Sequence, residues 1–93
     1  MFNNKVLLIT GGTGSFGKKF TEYVLKNYKP RKLIIFSRDE LKQFEMQQLF
    51  CEDKHPAIRY FLGDIRDKDR LYRAFEDVDI VIHSAALKQV PAL

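Results

Sequence analysis

The chain has 93 residues, enough for one small domain, and its 45% hydrophobic and 30% charged residues are typical of a globular rather than a disordered protein. Its apolar runs are much shorter than the ~20 residues that cross a bilayer, which excludes a membrane-spanning helix. The net charge of +4 is spread over short clusters instead of one basic stripe, so we expect anionic small molecules rather than nucleic acid as ligands.

The first predicted strand, Lys5–Thr10, runs directly into a glycine-rich turn. Gly11, Gly14 and Gly17 follow it at the spacing G-x-x-G-x-x-G. A helix is predicted next, over residues 16–28. A strand, a glycine turn and a helix in this order offer backbone N–H groups and a helix N-terminus to a pyrophosphate. The turn therefore predicts a dinucleotide site.

The predicted helix over residues 16–28 rests on apolar side chains that recur every four residues. They are Phe16, Phe20, Val24 and Tyr28. Tyr28 and Lys32 have the spacing of a reductase acid–base pair, but Pro30 ends the helix between them, so they cannot share a helical face. We find no other such pair and predict no catalytic residue in this chain.

The same turn nearly matches a second phosphate-binding motif. Gly12, Gly17 and Lys18 have the spacing of a Walker A loop. Lys19 replaces the Ser or Thr that would bind the magnesium ion of the nucleotide. A P-loop NTPase is therefore the less favoured alternative.

The second predicted strand, Lys32–Phe36, is followed by Ser37 and Arg38. An NAD site usually has an Asp or Glu here, which bonds the ribose hydroxyls. A hydroxyl followed by a guanidinium instead attracts a 2′-phosphate, which a carboxylate would repel. These two residues therefore favour NADP over NAD. Asp39 and Glu40 either weaken this preference or lie in the first turn of the next helix, where acids suit the helix dipole.

The second predicted helix covers Glu40–Cys51, and its expected apolar side consists of Leu41, Phe44, Gln48 and Leu49. Cys51 is the single cysteine, which excludes an internal disulfide and fits a reducing cytoplasm. Cys51 and His55 are four residues apart, but no further side chain has zinc-like spacing. We therefore predict no metal site.

The third predicted strand, Ile58–Leu62, is followed by a glycine and an acidic segment. In this segment Asp64 is placed to accept a hydrogen bond from an adenine amino group, and Ile65 is placed to pack against the ring. Asp67 either joins the site or caps the next helix, a position that Asp favours.

The third predicted helix, residues 68–77, has Leu71, Ala74, Phe75 and Val78 at helical spacing, and the fourth predicted strand is Asp79–His83. Parallel strands require helix-length connections of the kind predicted here, and right-handed crossovers then give the order 3-2-1-4. The sequence thus predicts an α/β fold, the N-terminal portion of a Rossmann-like, doubly wound parallel sheet. The fourth strand would lie at an edge without a covering helix, so we expect self-association into a homo-oligomer.

The residues after the fourth strand complete the predicted site. His83 is expected to have a structural role, since a lone His at a strand end is seldom a catalyst. Ala85 and Ala86 would let a cofactor pass close to the backbone, and Lys88 would direct a cation toward phosphate or substrate.

The chain resembles the extended short-chain dehydrogenase/reductases, and within them the nucleotide-sugar 4,6-dehydratases of the polysaccharide-biosynthesis class. The branch that it is most similar to acts on UDP-N-acetylglucosamine, with inversion at C5, in pseudaminic acid synthesis. The resemblance rests on residues 9–17, 37–42, 63–67 and 83–91 in the family's order. The second and fourth of these blocks are more specific than the glycines.

The resemblance implies an NADP cofactor that takes a hydride from C4 of the hexose and returns it to C6 after water leaves across C5 and C6. Lys88 would also lie near the sugar nucleotide, which is a UDP-sugar. Residues 1–93 would form an incomplete NADP-binding domain, inactive alone, of an enzyme of surface polysaccharide or flagellin glycan synthesis. The alternative is a stand-alone NADP-binding or interaction module without catalysis. The expected cofactor contacts are Gly11, Thr13, Gly14, Ser15, Phe16, Gly17, Ser37, Arg38, Asp39, Glu40, Leu41, Lys42, Asp64, Ile65, Ser84, Ala85, Ala86 and Lys88.

Overall fold

A computed structural model describes residues 2–11 and 13–83 of the chain. Strands and helices alternate along this part of the sequence. The elements are β1 (Val6–Thr10), α1 (Ser15–Asn27), β2 (Lys32–Ser37), α2 (Glu40–Leu49), β3 (Ile58–Leu62), α3 (Lys68–Phe75) and β4 (Ile80–His83). None of the helices in the described ranges is long and apolar enough to cross a membrane.

The strands form one parallel sheet in the order β3-β2-β1-β4, which confirms the predicted topology. Thr10 at the end of β1 pairs with Phe36 on one side and with His83 on the other. The carboxyl ends of the strands therefore meet at one edge, which we call the carboxyl edge. Ligands of doubly wound sheets bind at this edge, next to the strand at which the chain order reverses.

Each face of the sheet is covered by different helices. On one face, β1 contributes Leu7 and Ile9, which pack with Val24 of α1 and Met46 of α2. On the other face, Leu8 packs with Phe36 of β2 and Ala74 of α3. The near-continuous apolar sequence of β1 is explained by this burial on both faces. The predicted apolar side of α3 is confirmed, since Leu71, Phe75 and Val78 pack against the second cluster.

The predicted face of α1 is only partly right. Val24 is buried and Phe20 packs against the core, but Phe16 is 43% exposed. The buried face is instead Gly17, Thr21 and Val24. The inward face of this helix is therefore formed by smaller side chains than the aromatic periodicity predicted.

The predicted apolar side of α2 is wrong. Leu41, Phe44 and Leu49 are 67%, 60% and 61% exposed, and Gln43 and Met46 are the buried residues. Apolar periodicity does not indicate a buried glutamine, because it counts only apolar side chains. The Gln43 side chain bonds backbone carbonyl groups of the sheet, so the polar residue faces inward.

Both later helices end earlier than predicted, α2 at Leu49 instead of Cys51 and α3 at Phe75 instead of Asp77. Asp77 has a positive φ of 62°, a left-handed conformation that an α-helix cannot continue and that Asp tolerates better than most residues. At the opposite, amino edge of the sheet, the Asp79 carboxylate accepts a hydrogen bond of 2.8 Å from the Val6 amide. The Asp79 amide in turn donates to the Val6 carbonyl at 2.8 Å, which closes β4 against β1.

Candidate cofactor site

The glycine turn after β1 depends on one residue with a left-handed backbone. Gly11 has a φ of 66°, a region in which a side chain would be strained. Its N–H donates to the Phe36 carbonyl at 2.8 Å, which ties the turn to the end of β2. The N–H of Gly14 then donates back to the Gly11 carbonyl at 3.2 Å. The turn thereby places the start of α1 at the carboxyl edge.

Among the described residues, no side chain caps the N-terminus of α1. Its N-cap residue is Gly14, in an extended conformation, and the first turn holds no acidic residue. The other two helices are both capped by an aspartate: Asp39 accepts from the Lys42 amide at 3.0 Å and Asp67 from the Arg70 amide at 3.2 Å. The first amides of a helix have no partner within the helix. A helix start of this kind has partial positive charge and can accept an anion.

These caps bear on the alternatives that the sequence left open for three acidic residues. Asp67 caps α3, as one of its two predicted roles required. Asp39 caps α2 and Glu40 lies in the first turn, where both favour the helix dipole. Whether any of these acids also contacts a cofactor stays a prediction.

The end of β2 brings together a buried hydroxyl and an exposed guanidinium. Ser37 is 7% exposed and its Oγ accepts a hydrogen bond of 3.0 Å from Nε2 of Gln43. Arg38 follows with a side chain that is 71% exposed. Of the predicted contacts, Thr13 is buried whereas Ser15 and Phe16 are exposed beside the start of α1. The structure therefore brings the glycine turn and the Ser37–Arg38 pair to the same edge.

Asp64 lies on the neighbouring loop and is held mainly by Arg66. Its carboxylate accepts from the Arg66 backbone N–H at 2.9 Å and from the Arg66 guanidinium at 2.8 and 3.2 Å. Arg38 approaches the same carboxylate at 3.6 Å. Hydrogen bonds from the Arg66 side chain, and then from its backbone, hold the pKa of Asp64 well below its usual range. The predicted bond from Asp64 to an adenine amino group would have to share a carboxylate that already accepts these bonds.

A glycine, an arginine and two rings pack behind this loop. The Arg70 guanidinium lies over the Phe61 ring at 4.5 Å, and its Nε donates to the Leu62 carbonyl at 2.8 Å. The Phe61 ring stacks on Phe36, with 5.6 Å between centroids. A Cβ on Gly63 would lie 2.8 Å from Cγ of Arg70, so only glycine fits there without movement. This packing fixes the backbone of Gly63, and Asp64 follows it directly.

His83 has the structural contact that its sequence context predicted. Its Nδ1 lies 3.1 Å from Oγ1 of the buried Thr10. Tyr28 and Lys32 do not share a helix, because α1 ends at Asn27 and Lys32 begins β2. Four predicted contacts, at Ser84, Ala85, Ala86 and Lys88, lie outside the described residues, as does Gly12 of the Walker-like motif. Within residues 2–11 and 13–83, no group of His, Cys, Asp and Glu side chains is arranged to hold a metal ion.

Gln43, Gly63, Arg66 and Arg70 shape this edge, and sequence analysis assigned a role to none of them. Gln43 and Met46 are three residues apart and form a second, mixed stripe on α2, which was the available signal. The arginine contacts had no such signal, because the sequence around an arginine does not indicate whether its side chain binds a carboxylate.

Comparison with known proteins agrees with the fold and extends it. A family model described as polysaccharide biosynthesis protein matches residues 7–93, nearly the whole chain. The chain belongs to this polysaccharide biosynthesis protein family.

Proteins with assigned activities are similar to almost the entire chain. It is 64% identical over 91 residues to the UDP-N-acetylglucosamine 4,6-dehydratase (inverting) of Campylobacter jejuni, and this alignment covers 98% of the chain and 26% of the dehydratase. A UDP-glucose 4-epimerase of Rickettsia bellii is 47% identical over 94 residues, which cover 98% of this chain and 27% of the epimerase. The chain thus spans about a quarter of the length of these relatives. The resemblance to the N-terminal part of the dehydratases is confirmed.

Solved structures with the same fold match most of this chain. Pen from Bacillus thuringiensis matches with a TM-score of 0.82 and 46% identity, over 89% of this chain and 26% of that one. A dTDP-glucose 4,6-dehydratase from Bacillus anthracis, in complex with NAD, matches with a TM-score of 0.65 and 25% identity, over 86% of this chain and 26% of that one. The Rossmann-like assignment is therefore confirmed.

Proposed function

We propose that this chain is the NADP-binding segment of a nucleotide-sugar 4,6-dehydratase that acts on UDP-N-acetylglucosamine. The observation that carries the proposal is the uncapped start of α1, which follows the left-handed Gly11 at the carboxyl edge of the sheet. The 64% identity to the inverting dehydratase of Campylobacter jejuni supports the choice of substrate. The proposal extends to a homo-oligomeric, cytoplasmic enzyme of surface polysaccharide or flagellin glycan synthesis by the pseudaminic acid route.

The residues of the glycine turn fit a pyrophosphate. Gly14 lacks a Cβ at the cap position, and the amides of Ser15 and Phe16 begin the helix there. Partial positive charge at a helix N-terminus favours an anion at this place. When bound, the cofactor would supply a hydride acceptor and donor, while this segment binds and orients it.

Ser37 and Arg38 support NADP rather than NAD. Arg38 presents an exposed guanidinium at the end of β2, and a guanidinium can hold a phosphate through two parallel hydrogen bonds. The Bacillus anthracis structure of the same fold is a complex with NAD, so the fold alone does not select NADP. Asp39, the nearest carboxylate along the chain, is engaged as a helix cap. This cap accounts for the acid without the ribose-binding role that a carboxylate has in an NAD site.

Replacement of Arg38 tests the cofactor preference. Arg38→Ala should weaken NADP binding by about 10- to 100-fold, the equivalent of a lost charge-assisted contact of about 1.5–3 kcal/mol, and leave NAD binding nearly unchanged. Titration calorimetry of the purified chain with each dinucleotide measures both constants. Arg73→Ala, in the last turn of α3, removes the same charge far from the site and is the matched control. An equal loss for both cofactors in the Arg38 variant would refute the 2′-phosphate role.

The chain by itself should bind the cofactor without turnover. We propose that the catalytic acid, base and tyrosine belong to parts of the dehydratase that are outside this sequence, and that Lys88 contributes to substrate binding. Incubation with NADP and UDP-N-acetylglucosamine should therefore yield no keto-sugar by mass spectrometry. Product formation would contradict the absence of a catalytic set.

A further inference from the structure

We propose that Gln43 is a positioning residue that fixes the Ser37 hydroxyl as a hydrogen-bond donor toward the 2′-phosphate of NADP. This inference rests on the proposed function and deepens it. Gln43 lies in the first turns of α2 and is 6% exposed. Its Nε2 is 3.0 Å from Oγ of Ser37, 3.3 Å from the Ser37 carbonyl and 3.1 Å from the Phe61 carbonyl. A single buried amide thus joins the ends of β2 and β3.

The orientation of this amide follows from its partners. The Ser37 and Phe61 carbonyl oxygens can only accept hydrogen bonds, so the side-chain nitrogen of Gln43, and not its oxygen, must face them. The Ser37 Oγ lies beside the same nitrogen and therefore accepts as well. A hydroxyl that accepts on this side must send its own proton in another direction.

The inward acceptors around Ser37 are already engaged. The Ser37 carbonyl accepts from the Gly63 amide at 2.8 Å as well as from Gln43, and the Phe61 carbonyl accepts from Gln43. Ser37 ends β2 and Arg38 follows directly. The proton is therefore expected to point to the carboxyl edge, where the 2′-phosphate would lie beside the Arg38 guanidinium.

A donor fixed in this way should discriminate between the two dinucleotides. A phosphate oxygen carries charge, and a hydrogen bond to it is about twice as strong as one to a neutral ribose hydroxyl. Without Gln43 the Ser37 hydroxyl could rotate and donate to the Phe61 carbonyl. The preference for NADP should then fall although no group that touches the cofactor has changed.

The test is a double-mutant cycle of Gln43→Met and Ser37→Ala, with NADP and NAD dissociation constants measured by calorimetry. The two cofactors differ only in the 2′-phosphate, so a general folding defect weakens both whereas the proposed role changes their ratio. Each single variant should lower the NADP preference by ~10-fold with NAD binding within about twofold of the parent. The double variant should be no worse than either single one, since both act through the same bond.

Gln43→Leu serves as a second variant if the methionine variant is unfolded by circular dichroism. It is a neutral side chain of similar size that offers no proton to the Ser37 hydroxyl or to the two carbonyl groups, so the NADP preference should again fall without an added charge. Additive losses in the cycle, equal losses for both cofactors, or an unchanged ratio in a folded Gln43 variant would each overturn the inference. If Arg38→Ala lowers the preference and the Gln43 variants do not, the proposed function stands and only this inference fails. If the parent chain binds neither dinucleotide, the proposed function fails first.

Discussion

Gly63→Ala probes the packing that supports the candidate site. Gly63 does not have the positive φ of Gly11, so a side chain there meets a steric and not a backbone penalty. An added Cβ would lie 2.8 Å from Cγ of Arg70 and 3.0 and 3.1 Å from ring carbons of Phe36. Neither neighbour can move freely. Arg70 is bonded to a β3 carbonyl and lies over Phe61, and Phe36 is fully buried.

The expected cost is that of overpacking a tight site, about 1–3 kcal/mol. The smaller conformational entropy of the unfolded alanine chain offsets about 0.4–1 kcal/mol of it. The middle of these ranges is a net loss of about 1.3 kcal/mol, which corresponds to a fall of roughly 5–10 °C in Tm for a domain of this size. Thermal unfolding followed by circular dichroism measures the shift, and urea denaturation gives the free energy of unfolding.

Arg70→Ala provides the control, because it removes the Cγ that makes the shortest contact. The Gly63→Ala substitution should therefore cost less in that background, with a coupling energy of about 0.5 kcal/mol or more. The reasoning is wrong if Gly63→Ala is neutral or stabilising in the parent chain, or if its cost is the same with and without Arg70.

Three further substitutions test single contacts. Asp79→Ala leaves the buried Val6 amide without its carboxylate and should lower the free energy of unfolding by about 1–3 kcal/mol in urea, whereas Asp79→Asn should recover most of the loss. Thr21→Val should be neutral or stabilising by the same measurement, because the buried Oγ1 has no partner among the described residues, and a clear loss would reveal one. Asp64 has a lowered folded-state pKa, so its contribution is full above its unfolded pKa of ~4 and is lost as the pH falls below that value. Asp64→Asn should therefore flatten the acid side of a Tm profile from about pH 2 to 6, and an unchanged profile would argue against the Arg66 pair.

The fold could be predicted from sequence because its signals are local and repeated. Each strand is a short apolar run, each connection is helix-length, and the parallel order then follows from handedness. The face of α2 could not be predicted in this way. Periodicity favoured Leu41 and Phe44, but the inward position went to Gln43, whose bonds to backbone carbonyls depend on a strand from elsewhere in the chain.

In the candidate site, too, local features could be predicted from the sequence and contacts between distant residues could not. Gly11 and Gly14 predicted the turn, because backbone freedom and the lack of a Cβ are properties of glycine itself. Asp39 and Asp67 were ambiguous, since a carboxylate at a helix start can cap the helix or bind a ligand, and only the geometry of the amides distinguishes these roles. The bond between Gln43 and Ser37 spans six residues. Its direction follows from the Phe61 carbonyl of β3, which can only accept a hydrogen bond and lies beside the same nitrogen.

The distribution of charge at the end of β2 bears directly on cofactor choice. Asp64 could neutralise Arg38 and so remove the group that would hold a 2′-phosphate. Arg66 prevents this by taking the carboxylate through its backbone N–H and a guanidinium contact at 2.8 Å, while Arg38 has a longer contact of 3.6 Å. The shorter and more numerous bonds join the acid to Arg66, and the Arg38 side chain remains 71% exposed. Arg66 thus leaves Arg38 available to an anionic ligand, which supports the proposed contact with a 2′-phosphate.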